Sequence, residues 1–285
     1  HARLCAHAHT GCAMALRGVE RSAALCALWR AMESSSASPL LRDPLAEALA
    51  EVALGPEAAK LRSATFAPSL QYLVTLRGWI IDEALSTWLR LGPSRQVVQL
   101  GVGCDTRAIR LEEHGASWYE VDTPRVAAFR RRALASSRAT QLGLDLKDAD
   151  ALSEALAAEG FNPDQPTAWV CEGLLEYHDE AFAEQLLAGL GRVRGGEQLL
   201  LLAVLDLCWL QYLQEQHAQK PVRLAWKPSR LPPLNNVARR VSAHGWHIAG
   251  TVSELRPDAR ARPAATEDGS LFHVLRAVRG TSKAE

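Results

Sequence analysis

No stretch of this chain reaches the roughly 18 consecutive apolar residues that a membrane-spanning helix needs. The longest apolar run, Leu199–Leu205, has the length of a buried strand. Net charge is also missing: 32 Lys and Arg stand against 32 Asp and Glu. That balance argues against nucleic acid or anionic lipid as the main partner. The six cysteines, at positions 5, 12, 26, 104, 171 and 208, include no CxxC pair. They read as reduced thiols in a reducing compartment, not as a disulfide framework. No internal repeat is visible.

What remains is an ordinary globular composition, 48% hydrophobic and 22% charged over 285 residues. A chain of that length can bury a full core, as one large α/β domain or equally as two.

The stretch Arg95–Asp122 organises the rest. A short apolar run, Gln96–Leu100, ends in Gly101-Val102-Gly103, and a second run, Ser117–Val121, ends in Asp122. Strand, glycine turn, helix and a strand closed by an acid make the opening βαβ unit of a nucleotide-binding fold. The glycines let the backbone turn sharply and approach a ligand, and the carboxylate can accept hydrogen bonds from a ribose diol. A dinucleotide fingerprint wants a third glycine, but Thr106 stands there, preceded by Asp105. An acid in the turn suits a cationic ligand better than a pyrophosphate, and S-adenosylmethionine carries both an ammonium and a sulfonium.

Residues 1–16 begin without Met and hold no acid. His1, Cys5, His7, His9 and Cys12 invite a metal reading, but the expectation is a disordered leader or the remnant of a targeting segment, with no metal site. Helical spacing is expected over Gly18–Ala53, broken by a loop at Ser34–Pro39 and restarted at Asp43-Pro44, and again over Pro68–Arg90. Arg77 lies on or beside the apolar stripe of the last helix. Periodicity leaves open whether it snorkels outward or reaches inward to a carboxylate.

After Asp122 a helix is expected from Thr123-Pro124 to about Ser137, with Arg130-Arg131-Arg132 on its solvated side. Strand three is expected over Ala139–Leu146, strand four over Thr167–Cys171 and strand five over Glu197–Leu205, with helices Asp148–Glu159 and His178–Arg192 between them. This alternation predicts a parallel, doubly wound sheet. Asp206–Asn236, with Trp209, Tyr212 and Trp226, breaks the rhythm and reads as a lid or substrate-side insertion. A helix, Val237–His244, and two closing strands, Trp246–Val252 and Leu271–Val278, follow. The expected organisation is a single domain over residues 17–285. It comprises a helical cap (17–94), a cofactor half (95–205), the insertion (206–236) and the closing strands (237–285).

Several stretches together resemble one family. They are Trp29-Arg30-Ala31-Met32-Glu33 with Leu41-Arg42-Asp43-Pro44-Leu45-Ala46, Arg77 with Ile81-Asp82-Glu83, Gln96 to Arg107, Glu120-Val121-Asp122, Asp145-Leu146, and Glu172-Gly173-Leu174-Leu175-Glu176-Tyr177. The chain resembles the leucine carboxyl methyltransferase family, in its branch of S-adenosylmethionine-dependent O-methyltransferases, from about Trp29 to Val278. The resemblance implies a class I methyltransferase: a Rossmann-like, doubly wound, seven-stranded α/β sheet with an N-terminal helical cap. It implies S-adenosylmethionine as cofactor. Arg77 would hold the methionine carboxylate, with Gly101 passing beneath and Gly103 beside it. Asp122 would take the ribose hydroxyls, Asp145 and Leu146 the adenine, and Glu172 the methionine ammonium. Glu176 departs from the apolar residue common at its position, which leaves the pocket wall more polar.

Methyl transfer to a carboxylate needs no base, because that nucleophile is ionised at neutral pH. A phenol or alcohol is helped by one. Tyr177 and His178 are the nearest candidates, with His247 a weaker one, and Arg223 or Lys227 would hold a carboxylate acceptor. For His178 the plainer expectation is a helix-start residue. The expected acceptor is a small-molecule carboxylate or hydroxyl, with a protein C-terminal carboxylate as an alternative. An inactive cofactor-binding interaction protein and a nicotinamide-dependent oxidoreductase also stay open. The expected assembly is a monomer or homodimer, without nucleic-acid or membrane partners. It would lie in the cytoplasm, or in an organelle stroma if the leader is a transit remnant.

Overall fold

A computed structural model of the chain describes residues 16–63, 68–193, 195–205, 234–252 and 272–280. The leader with its His and Cys residues lies outside them, as does most of Asp206–Asn236, including Arg223 and Lys227.

Seven strands form one sheet. They are β1 (Gln96–Leu100), β2 (Ser117–Asp122), β3 (Thr140–Gly143), β4 (Thr167–Cys171), β5 (Gln198–Leu205), β6 (His247–Val252) and β7 (Phe272–Arg279), in the spatial order β3-β2-β1-β4-β5-β7-β6. β1 to β5 run parallel, and β7 inserts antiparallel between β5 and β6. All five residues of β1, all five of β4 and all eight of β5 are buried. That burial explains why β5 is apolar from Leu199 to Leu205 and why β1 and β4 are mostly apolar: helices cover both faces. The order reverses between β1 and β4, and an open α/β sheet binds its ligand at the carboxyl ends of the strands beside such a point.

Among the described residues four helices precede the sheet: α1 (Glu20–Ser34), α2 (Ala46–Leu54), α3 (Glu57–Ser63) and α4 (Pro68–Leu89). α1 packs on α2 and α4, and Leu28, Leu49, Leu73, Ile81 and Leu85 are buried among the core residues there. After β1 come α5 (Arg107–Arg110), α6 (Pro124–Ala133), α7 (Ala149–Ala158), α8 (Glu180–Arg192) and α9 (Leu234–Ala243). α6, α7 and α8 start where the sequence supplies a cap. The side chains of Thr123, Asp148 and Asp179 accept from the backbone N–H of Val126, Ala151 and Phe182. Each such cap stabilises its helix by about 1 kcal/mol.

The structure corrects three expectations and refines a fourth. Arg130 is not on a solvated face: it is 1% exposed, and its guanidinium pairs with Glu120 at 2.6 Å. The helix expected after β1 is present as a single turn, with Arg107 and Arg110 at its two ends paired to Asp82 and Asp105. β3 stops at Gly143 because β2 has run out: Asp122 opposite Gly143 is the last pair of the ladder. The second helix begins at Ala46, since Asp43 faces inward to Arg30 at 2.9 Å.

Candidate functional site

The site is built on the turn after β1. Gly101 and Gly103 have φ of 68° and 53°, a region that costs a residue with a Cβ. Space is a second constraint. A Cβ on Gly103 would lie 2.6 Å from Ala23 Cβ, and one on Gly101 2.9 Å from Leu174 Cδ1. Two buried arginines hold the loop from beneath. Arg30 donates to Cys104 O (2.6 Å), and Arg130 donates to Gly103 O (2.9 Å) and Asp105 O (2.7 Å). Each guanidinium is neutralised by its own carboxylate, Asp43 or Glu120.

Asp122, at the tip of β2, accepts from Gly103 N and Thr123 N, both at 2.7 Å. Burial raises its pKa, and the two backbone hydrogen bonds work against that rise. Each oxygen takes one of these bonds and keeps a second lone pair for a ligand. Asp122 lines a cleft of about 470 Å³ together with Asp145, Leu146, Tyr177 and His178. That volume lies within the roughly 300–1,000 Å³ common for ligand pockets.

The cleft continues inward over Gly101 and Gly103 to an enclosed end bounded by Cys26, Trp29, Leu73, Arg77, Glu172 and Glu176. Arg77 is 6% exposed and reaches inward, the second of the two readings open from periodicity. Its Nε donates to Glu172 Oε1 at 3.0 Å, and its Nη1 lies 3.8 Å from Glu176 Oε1. Arg107, 1% exposed, joins Glu172 (2.8 Å), Asp82 (2.5 Å) and Asp105. Arg110 shares Asp82 and Asp105 and lies 4.0 Å from Asp43.

Burial works against the Glu172 carboxylate, but Arg107 and Arg77 overcome it and hold its pKa below the ordinary value. Asp105 is likewise held well below the carboxylate range. The expectation that Asp105 faces a cationic ligand needs revision, because its charge is committed to Arg107 and Arg110, with Gln99 donating to it at 2.6 Å. Glu176 differs: burial raises its pKa, and Arg77 only partly offsets this. The connected network holds four guanidiniums (Arg30, Arg77, Arg107, Arg110) and five carboxylates (Asp43, Asp82, Asp105, Glu172, Glu176). With Glu176 ionised the network carries one negative charge in surplus beside the enclosed end, which suits a cationic ligand.

The structure brings Arg77, Gly101, Gly103, Asp122, Asp145, Leu146, Glu172, Tyr177 and His178 to one continuous cleft. His178 stacks on Phe182 with centroids 3.8 Å apart and directly precedes the capping Asp179. His247 is not there. It opens β6 and pairs with Val278, and Val278 pairs with Leu199 near the start of β5, so it sits at the opposite end of the sheet. Sequence reasoning did not give Arg30, Arg107 and Arg130 a role. Their signal was weak: arginines beside short polar loops are most often solvated. Among the described residues no group of three or more His, Cys, Asp and Glu could hold a metal ion.

The chain is similar to several known proteins. The family model described as leucine carboxyl methyltransferase matches residues 23–191. A relative from Frankia alni is 34% identical over 275 residues, covering 91% of this chain and 95% of its own. One from Streptomyces coelicolor is 31% identical over 272 residues, covering 88% and 93%. Both carry the provisional name of S-adenosyl-L-methionine-dependent methyltransferase. Among solved structures, a provisionally named methyltransferase from Thermobifida fusca superposes with a TM-score of 0.57 at 16% identity, over 90% of this chain and 95% of its own. A DUF574 family protein from Streptomyces avermitilis gives 0.56 at 14%, over 91% and 99%. At such identities the last two speak for the fold.

Proposed function

This chain belongs to the leucine carboxyl methyltransferase family and is an S-adenosyl-L-methionine-dependent methyltransferase, and from that premise we propose that it is an O-methyltransferase acting on a small molecule. The cofactor supplies a methyl group already activated on a sulfonium. Rate then comes from positioning the acceptor and excluding water.

The residues present fit that cofactor. The observation that carries the reading is the enclosed end: an inward guanidinium, two carboxylates and a glycine turn that a Cβ would fill. Arg77 commits its Nε to Glu172 and keeps Nη donors to meet the methionine carboxylate. Glu172 faces the methionine ammonium with its pKa depressed, so it stays ionised at neutral pH. Gly101 and Gly103 let the cofactor pass close to the backbone. Asp122 takes the ribose hydroxyls, and Asp145 with Leu146 holds the adenine at the outer cleft. Tyr177 lines both parts of the cleft and is assigned to the methyl-transfer site, with His178 beside it. The acceptor is a hydroxyl or a carboxylate.

Calorimetric titration with S-adenosylmethionine, S-adenosylhomocysteine and NAD tests this assignment. Micromolar binding of the two sulfur ligands, none of NAD, and loss of binding in Asp122→Ala are expected. A folded protein that binds neither sulfur ligand would overturn it.

A further inference from the structure

The side chain of Glu176 is 1% exposed. Among the described residues neither of its oxygens accepts a hydrogen bond from another residue. Its cationic neighbour, Arg77, stands 3.8 Å away and is already hydrogen-bonded to Glu172. Among the described residues the other ionisable groups around it are Glu172 and Cys171 at the end of β4 and Cys26 on α1, none of which supplies a positive charge. Glu176 lines the enclosed end of the cleft with Trp29, Leu73 and Tyr177. As a structural element this is poor design: an apolar side chain would fill the same wall without desolvating a charge. A buried carboxylate left under-satisfied at the edge of a ligand cavity is explained when the ligand satisfies it.

We propose that Glu176 is the acceptor-facing group of this enzyme: its carboxylate accepts a hydrogen bond from a hydroxyl-bearing acceptor and takes that hydroxyl's proton during transfer. This rests on the methyltransferase reading above and narrows it. The step balances. The acceptor oxygen uses a lone pair to form the O–CH3 bond, the S–C bond breaks with its electron pair left on sulfur, and the O–H proton moves to Glu176. A sulfonium and a carboxylate become a thioether and a carboxylic acid, so one positive and one negative charge are removed together.

The same geometry disfavours a carboxylate acceptor. A further anion would sit beside Glu176 and Glu172, competing for Arg77, which already meets both of them. Glu176 is thus a specificity-determining residue as well as a base, and it selects neutral donors against anions.

Phenol and benzoate are suitable probes, being flat rings of similar size that differ in charge. Their binding to the protein saturated with S-adenosylhomocysteine is measured by ligand-observed NMR, for wild type, Glu176→Gln and Glu176→Leu. Phenol should bind wild type better than benzoate. Loss of a hydrogen bond to a charged group should weaken phenol about tenfold in Glu176→Leu, while benzoate gains in both variants. In wild type, phenol affinity should fall as Glu176 is protonated on lowering the pH, and this dependence should vanish in Glu176→Gln. Identical probe binding in all three proteins, or no probe binding to any, would overturn the proposal. The homocysteine ligand separates the two readings. If wild type fails to bind it, the cofactor assignment falls; if it binds and residue 176 has no effect, only the role of Glu176 falls.

Discussion

Arg107 Nη2 lies 2.8 Å from Glu172 Oε2, although the two residues are 65 apart in the chain. The contact joins the turn after β1 to the tip of β4 across the point where the strand order reverses. With Arg77 on the other oxygen, Glu172 is gripped from both sides. A carboxylate held this way cannot swing, and its charge is presented in one place.

Arg107→Met should therefore do more than remove one ion pair. It leaves Asp82, Asp105 and Glu172 crowded together without their shared cation. Breaking a buried pair on one side costs about 3–5 kcal/mol. Urea denaturation should show a loss of that order, and S-adenosylhomocysteine affinity should fall with it. Wild-type stability in the variant would show that the network is not buried as described.

The grip on Glu172 also sets a pH dependence. A carboxyl whose folded pKa is depressed binds fewer protons folded than unfolded, so stability rises with pH through that window. For Glu172 the contribution is present above the ordinary glutamate value of about 4.3 and is lost as pH falls through its lower folded value. Glu172→Gln should be less stable than wild type at pH 7, with the gap closing under acid. A gap that stays constant from pH 7 to pH 3 would contradict the depressed pKa.

Gly103 separates conformational strain from crowding. Gly103→Ala meets both a φ of 53° and Ala23 Cβ at 2.6 Å, and about 1–3 kcal/mol should be lost. Gly115→Ala is the control, with φ 66° and no atom within 4 Å of the added Cβ. It should cost only the backbone share, about 1 kcal/mol. Adding Ala23→Gly to Gly103→Ala should recover the excess over the control. No recovery in the double variant would place the cost elsewhere.

The order of strands and helices could be read from the sequence because burial on both sheet faces favours apolar runs, Leu199–Leu205 above all. The polar residues that meet the cleft could be read because strand tips put acids such as Asp122 and Glu172 there. The support beneath could not. Arg30, Arg107 and Arg130 look like surface residues in one dimension, and only the fold brings Asp43, Glu172 and Glu120 to meet them. Glu176 was visible as an unusual polar residue, but its isolation from other donors is a three-dimensional fact.

Arg130 offers a way to separate stability from positioning. It pairs with Glu120 beneath the glycine turn and also donates to Gly103 O and Asp105 O. Arg130→Met alone strands Glu120, which is 1% exposed, and should cost about 3–5 kcal/mol. Combining it with Glu120→Leu removes the stranded charge, and apolar replacement of a buried pair is often neutral or better. The double variant should thus regain much of its denaturation midpoint. It should not regain full affinity for S-adenosylhomocysteine, because the two loop carbonyls still lack their donor and the turn under the cofactor is no longer fixed. If affinity returns together with stability, the arginine is a core residue and nothing more. If stability returns and affinity does not, the guanidinium positions the turn.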